Sequence, residues 1–255
     1  MFRKIFHLSS LVLSVYILFG ALSVVAQEPQ NLNNLALPNS TSGSKFLISV
    51  DGGLGYLLGS VKSAKNEMNE YGISGSDADD YYKRLKLGEQ AGASIYYYFF
   101  SKIALGLDYN LFTTTSSTNG YLDPHDGWTN YYGPFKEKIY TSFVGLSAFQ
   151  TQELSQKWNL YSKFSLGMAL YRNESFMVVS PFLVVGKAPA VKGDLGFSYR
   201  LSNLIKINAG VSYMFSSLRK IKVDNGTNSS DIDLTGDSKE NLSRLDLSTG
   251  LQFSF

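Results

Sequence analysis

Residues 244–255 read Arg-Leu-Asp-Leu-Ser-Thr-Gly-Leu-Gln-Phe-Ser-Phe, and this stretch decides the fold. Leu245, Leu247, Thr249, Leu251, Phe253 and Phe255 share one phase of a two-residue period, while Arg244, Asp246, Ser248, Gly250, Gln252 and Ser254 share the other. Successive side chains on a β-strand point to opposite faces, so a strand built from this segment has one oily face and one wet one.

Working outward, seven further segments alternate in the same way. Ile205, Ile207, Ala209, Val211, Tyr213 and Phe215 oppose Lys206, Asn208, Gly210 and Ser212; before them, Val191, Leu195, Phe197 and Tyr199 oppose Lys192, Asp194, Gly196 and Ser198. Trp158, Leu160, Phe164, Leu166, Met168 and Leu170 face away from Asn159, Tyr161, Lys163, Ser165 and Gly167. Residues 138–149 are ambiguous, because Tyr140, Val144, Leu146 and Ala148 compete with Ile139, Phe143 and Phe149, and the phase stays open. Ile103, Leu105, Leu107, Tyr109 and Leu111 alternate with Ala104, Gly106, Asp108 and Asn110. Over residues 84–100, Leu85, Leu87, Ala91, Ala93, Ile95, Tyr97 and Phe99 are expected to face out and Lys86, Gln90, Gly92 and Ser94 to face in. Glu89 falls on the apolar side there, which calls for a bulge or a charge near an interface. The first segment sets Phe46, Ile48, Val50, Leu54 and Tyr56 against Ser49, Asp51, Gly53 and Gly55.

The connections alternate between long (59–83, 113–137, 172–190, 216–243) and short (101–102, 150–157, 200–204). Eight strands with such connections predict an all-β, antiparallel, up-and-down barrel. The apolar run Phe176–Val185 in the third long connection is read as an extension of its two flanking strands, bent at Ser180-Pro181. A lid, a sticky patch, or an extra strand pair that would make ten are the alternatives.

The chain has 255 residues, 44% of them hydrophobic and 14% aromatic, with 17 Tyr, 17 Phe, 23 Gly and no Cys. That composition favours strands and excludes disulfides and thiolate metal sites. A mean hydropathy of −0.07 is too polar for a helical membrane bundle, but a barrel turns only alternate residues toward lipid. Residues 1–26 carry Arg3 and Lys4, an apolar run and Val24-Val25-Ala26, the pattern of a secretory signal peptide. Residues 27–44 are then expected to be a flexible periplasmic tether, and 45–255 the barrel domain. Removing Arg3 and Lys4 from the 23 basic residues leaves 21, matching the 21 acidic ones, so nucleic acid is a poor partner.

The alternation, the loop lengths and the aromatic C-terminus together resemble the small eight-stranded bacterial outer-membrane β-barrels, the superfamily of OmpA-, OmpX- and PorT-like proteins. The resemblance covers residues 45–255 and rests on periodicity, with no sequence fingerprint. It implies an integral protein of a Gram-negative outer membrane, with both termini periplasmic and outer-membrane lipid around it. It also implies an assembly signal in Leu251, Phe253 and Phe255, read by the barrel-assembly machinery. Tyr97, Phe99, Trp158 and Tyr199 are expected in an aromatic belt at the headgroup level.

An eight-stranded barrel is just wide enough to be filled by its own side chains. The charges predicted inside are Lys86, Lys163, Lys192, Lys206 and Arg244 against Asp51, Asp108, Asp194 and Asp246, a mixed set suited to a plug of ion pairs. The expected role is non-enzymatic: structural, or surface binding through long loops by a monomer, with an extracellular ligand not identified by the sequence. The alternatives are a PorT-like transport or secretion accessory or narrow conduit, and a lipid- or peptide-processing enzyme at the barrel rim. His125, in Asp123-Pro124-His125-Asp126, is the one candidate base, without an assignable nucleophile. Asp231, Asp233 and Asp237 approach a calcium-loop spacing. Leu242 stands where a bidentate Glu is needed, so this segment, like Asp77, Asp79 and Asp80, reads as a solvated acidic turn. No metal and no cofactor are expected.

Overall fold

A computed structural model of the chain describes residues 45–122, 131–236 and 239–255. Eight antiparallel strands close a ring: β1 (Phe46–Leu57), β2 (Leu87–Tyr98), β3 (Ile103–Leu122), β4 (Tyr131–Glu153), β5 (Trp158–Met177), β6 (Ser180–Arg200), β7 (Ile205–Leu218) and β11 (Arg244–Ser254). The decisive segment closes it. β11 pairs with β7 on one side and with β1 on the other, from Leu47↔Ser254 to Leu57↔Arg244. The fold is an eight-stranded up-and-down β-barrel.

Its polarity is reversed relative to a soluble core. Leu107, Leu146, Leu195 and Leu247 stand 55–71% exposed on the outside. Asp108, Lys192, Arg244 and Asp246 lie inside at 4% or less. The open phase of β4 resolves with Phe143, Ser147 and Phe149 inward and Val144, Leu146 and Ala148 outward. Glu89 lies on the outside with no bulge, since β2 keeps an unbroken register with both neighbours, from Gly88 opposite Gly55 and from Glu89 opposite Thr113.

The short-turn end is plain; the other end is built. β3–β4 and β5–β6 run on as long hairpins beyond the ring, so residues 113–122 and 131–137, expected as loop, are strand. Residues 172–190 extend β5 and β6 as expected, but the bend falls at Val178-Val179, and Ser180-Pro181 already opens β6. Val178 has φ of 55°, a left-handed conformation that a β-branched residue rarely takes, and it is buried against the hairpin-end core. β8 (Lys220–Asp224) adds to the edge of β6 at Leu183–Gly186, β9 (Ser229–Asp233) pairs with β8, and the two-residue β10 (Glu240–Asn241) pairs with the end of β7.

Where β1 and β2 stop, the first long connection supplies two helices, α1 (Lys62–Glu70) and α2 (Gly75–Lys86). Ser74 caps α2 by accepting the Asp77 N–H at 3.2 Å. Ala78, Tyr81, Tyr82 and Leu85 recur at helical spacing, and all four are buried. This corrects the reading of Asp77, Asp79 and Asp80 as a loop turn: Asp77 is in the first turn of α2, Asp79 pairs with Lys65, and Asp80 with Lys83 at 3.4 Å. α2 also covers the free edge of β3, where Arg84 Nη2 donates to Ser117 O at 3.0 Å and Ser116 Oγ to Tyr81 O at 2.9 Å.

Candidate functional site

The inward faces of the eight strands meet in one filled lumen. At the short-turn end, Leu47, Tyr96, Ala104, Phe149 and Tyr161 form an apolar floor, with Phe149 stacked on Tyr161 at 5.9 Å. Tyr161 fits because the lumen is lined opposite it by glycine: a Cβ on Gly196 or Gly210 would collide with its Oη.

Above the floor lies a first charged layer. Lys192 Nζ is 2.9 Å from Asp108 Oδ2 and 3.4 Å from Asp194 Oδ1, and Lys163 Nζ is 3.6 Å from the same Asp194 oxygen. Ser165 Oγ donates to Asp108 at 3.3 Å and contacts Ser147 at 2.8 Å. Burial alone would make each of these charges costly, so they persist as a mutually compensated group.

A second layer centres on Arg244. Its Nε donates to Asp246 Oδ1 at 2.5 Å and its Nη2 to Asp246 Oδ2 at 3.0 Å and to Asn110 Oδ1. Asn110 passes the chain to Gln90 at 2.5 Å, and Gln90 to Asp51 at 3.5 Å. Ser212 donates to Asp246 at 3.2 Å. Toward the built end, a large apolar cluster follows, joining Phe143, Met214 and Leu218 of the wall to the buried face of α2.

Seven of the nine charges expected in the lumen are therefore brought together there: Asp51, Asp108, Lys163, Lys192, Asp194, Arg244 and Asp246. Lys86 is a correction. It ends α2 instead of starting a strand, and its ammonium lies 5.8 Å from the ring of Tyr56, an outward residue. Lys206 is half-buried next to the short turns, with no carboxylate within ion-pair distance among the described residues. The neutral partners Asn110, Gln90 and Ser165 all lie on the polar phase of the sequence; which charge each meets depends on cross-barrel distance, which alternation does not encode.

The expected belt residues pair edge-on: Tyr97 with Phe99 at 5.0 Å and Trp158 with Tyr199 at 5.1 Å, all near the short turns. Leu251, Phe253 and Phe255 follow the outward phase of β11, and the Phe255 N–H donates to Phe46 O at 2.9 Å. His125 lies outside the described residues, as do Asp123, Asp126 and Asp237. Asp231 and Asp233 lie in β9, strand where a turn was expected, and Asp231 pairs with Lys220 at 3.0 Å.

At the built end a crevice of about 130 Å³ separates the helices from the paired ends of β4 and β5. There Tyr81 Oη donates to Glu137 at 2.7 Å and Asn173 Nδ2 donates to the other Glu137 oxygen at 2.5 Å. Burial, and then the adjacent Glu137 charge, push the Tyr81 phenol well above its ordinary range.

No family model and no curated protein matches the chain. Among solved structures, a major outer membrane protein from Thermus thermophilus is similar over 82% of this chain and 99% of its own, with 11% identity and a TM-score of 0.48. Neisserial surface protein A is similar over 82% and 97%, with 14% identity and a TM-score of 0.45. OprG from Pseudomonas aeruginosa is similar over 83% and 96%, with 15% identity and a TM-score of 0.44.

Proposed function

We propose that the chain is a non-enzymatic, monomeric, integral β-barrel of a Gram-negative outer membrane. Its short turns and both termini lie in the periplasm, and its helices and long hairpins face outward as a rigid structural or ligand-binding surface. The observation that carries this reading is the inverted polarity of the wall: a continuous outer surface of Leu, Ile, Val and aromatic residues around charged, fully buried side chains. Strands of about ten residues, tilted as in such barrels, cross the roughly 25 Å band that lipid requires. The paired aromatics at the short-turn end suit the headgroup level.

The filled lumen favours a structural role over conduction. Arg244, Phe112, Tyr96 and Phe143 occupy its cross-section at 1% exposure or less. A surface built from hairpins and packed helices is preorganised, which lowers the ordering cost of binding. Recovery of the full-length protein in outer-membrane fractions, followed by electrophoresis with and without boiling, tests the reading. A migration shift that disappears on boiling is expected; a single heat-independent band with recovery in a soluble fraction overturns it.

A further inference from the structure

We propose that the outer wall of the barrel, where β4, β5 and β6 leave the apolar band, binds one phosphorylated glycolipid of the outer leaflet. Lys138, Arg172 and Lys187 would hold its phosphate, and an acyl chain would lie in the notch over Ser142. The inference rests on the membrane reading above.

Residues directly opposite each other on antiparallel strands face the same side, so register fixes what this wall presents. Lys187 pairs with Leu170, Leu170 with Ser142 and Ser142 with Leu111, which makes Ser142 the small member of an otherwise bulky row. One row nearer the hairpin tips Arg172 pairs with Tyr140, and one row further Lys138 pairs with Glu174. All three cations are exposed. The missing bulk at Ser142 opens a groove of about 420 Å³, with Leu111 and Leu170 beside it and Tyr140, Arg172 and Glu174 at its head.

The groove thus has two chemistries in one line: an apolar floor on the side that meets acyl chains, and at its polar end a mouth lined by Arg172, with Lys138 one row beyond it and Lys187 flanking the floor row. Lys138 Nζ lies 4.9 Å from the Tyr140 ring centroid, a contact that holds the ammonium against the wall. Glu174, 2.7 Å from Arg172, neutralises one charge of the three and leaves the mouth net positive. The outward residues at the corresponding ends of β1, β2, β7 and β11 contribute one carboxylate, Glu89, and Lys86 of α2 reaches only to Tyr56, so the cations gather on one flank. A free phosphate would leave the floor unused and a neutral lipid would leave the mouth unused. A phosphorylated amphiphile uses both, and at the outward-facing end the outer leaflet supplies it as a glycolipid.

The test uses the full-length protein folded in phosphatidylcholine nanodiscs, titrated with diphosphoryl lipid A and, separately, with phosphatidylglycerol, with bound lipid counted by native mass spectrometry. One retained lipid A per barrel is expected, preferred over phosphatidylglycerol. Lys138→Gln and Arg172→Gln should each weaken it about fivefold. Glu174→Gln should tighten it, a gain that misfolding cannot mimic, and Lys86→Gln should change nothing. Unaltered binding in the first two variants, or equal binding of phosphatidylglycerol, overturns the site. A retained boiling-dependent gel shift without lipid preference counts against the site alone, whereas loss of that shift counts against the membrane reading as well.

Discussion

Arg244 lays its guanidinium over the ring of Phe112, 4.6 Å from the centroid, with both residues fully buried inside the barrel. The aromatic face covers one side of the cation, and the Asp246 carboxylate and the Asn110 carbonyl take its N–H groups. Phe112 in turn fits because Gly55 and Gly88 face it; a Cβ at either would come within 2.8 Å of the ring. A charge that would be costly alone is therefore held by three kinds of contact at once.

Removing one side of this arrangement should cost more than removing both. Arg244→Met leaves Asp246 charged, buried and without its cation, and is expected to destabilise the barrel by about 3–5 kcal/mol. Arg244→Met combined with Asp246→Leu should recover most of that loss, because an apolar pair has no charge to desolvate. Urea unfolding from lipid vesicles, followed by tryptophan fluorescence, measures both. A double variant as unstable as the single one would show that the ion pair itself is indispensable.

The floor makes a different prediction. Tyr161 occupies space that exists because residues 196 and 210 lack a Cβ, so Gly196→Ala and Gly210→Ala should each cost about 1–3 kcal/mol through overpacking. Removing the hydroxyl with Tyr161→Phe should relieve part of that strain, giving a double-mutant cycle with a clearly non-additive sum. Strict additivity would mean the phenol and the glycines do not meet.

At the built end the helical cap should loosen in alkali. Tyr81 donates to Glu137, and burial first, then the Glu137 charge, raise its phenol above the ordinary value of 10.0. A group whose pKa is higher folded than unfolded contributes stability that is complete below the unfolded value and is lost as pH climbs through the folded one. Protection of α1 and α2 against hydrogen exchange, corrected for the intrinsic base-catalysed rate, should therefore fall as pH rises past about 10. Tyr81→Phe should weaken the cap by about 1 kcal/mol at neutral pH and make the alkaline decline shallower. An unchanged alkaline profile in Tyr81→Phe would assign the loosening to other groups.

The barrel is legible in the sequence because its physics has a period of two. Apolar positions along β5, β7 and β11 have polar neighbours, and closure follows from strand count and loop length. β4 is ambiguous because Phe143 and Phe149 are large apolar residues placed inside, where Gly145 leaves room for Phe143. The helices escape a strand-based reading although Ala78, Tyr81, Tyr82 and Leu85 carry a helical spacing. Their surroundings are rich in Asp and Lys, which reads as loop when only strands are sought. Lys86 is misplaced for the same reason: beginning a strand at residue 84 puts it on the inward phase, whereas α2 runs to Lys86 and the strand starts at Leu87. The lumen charges can be named from phase alone, but the partner of each cannot, because Lys192 meets Asp108 across 84 residues of sequence.

The sharpest prediction concerns a residue that touches nothing essential inside the fold. Leu146 is 71% exposed and pairs with Leu107 and Leu166, both also outward, in the middle of the apolar band. On a water-facing surface Leu146→Arg would be close to neutral, since exposed substitutions away from special features stay within about 0.5 kcal/mol. At the midplane of a bilayer the same change costs about 2–4 kcal/mol, falling toward zero near the interfaces. Leu146→Arg should therefore strongly destabilise the vesicle-inserted protein, whereas Thr113→Arg, on the outward phase just beyond Leu111, should be tolerated. Equal, small effects at both positions would mean that the oily wall does not face hydrocarbon.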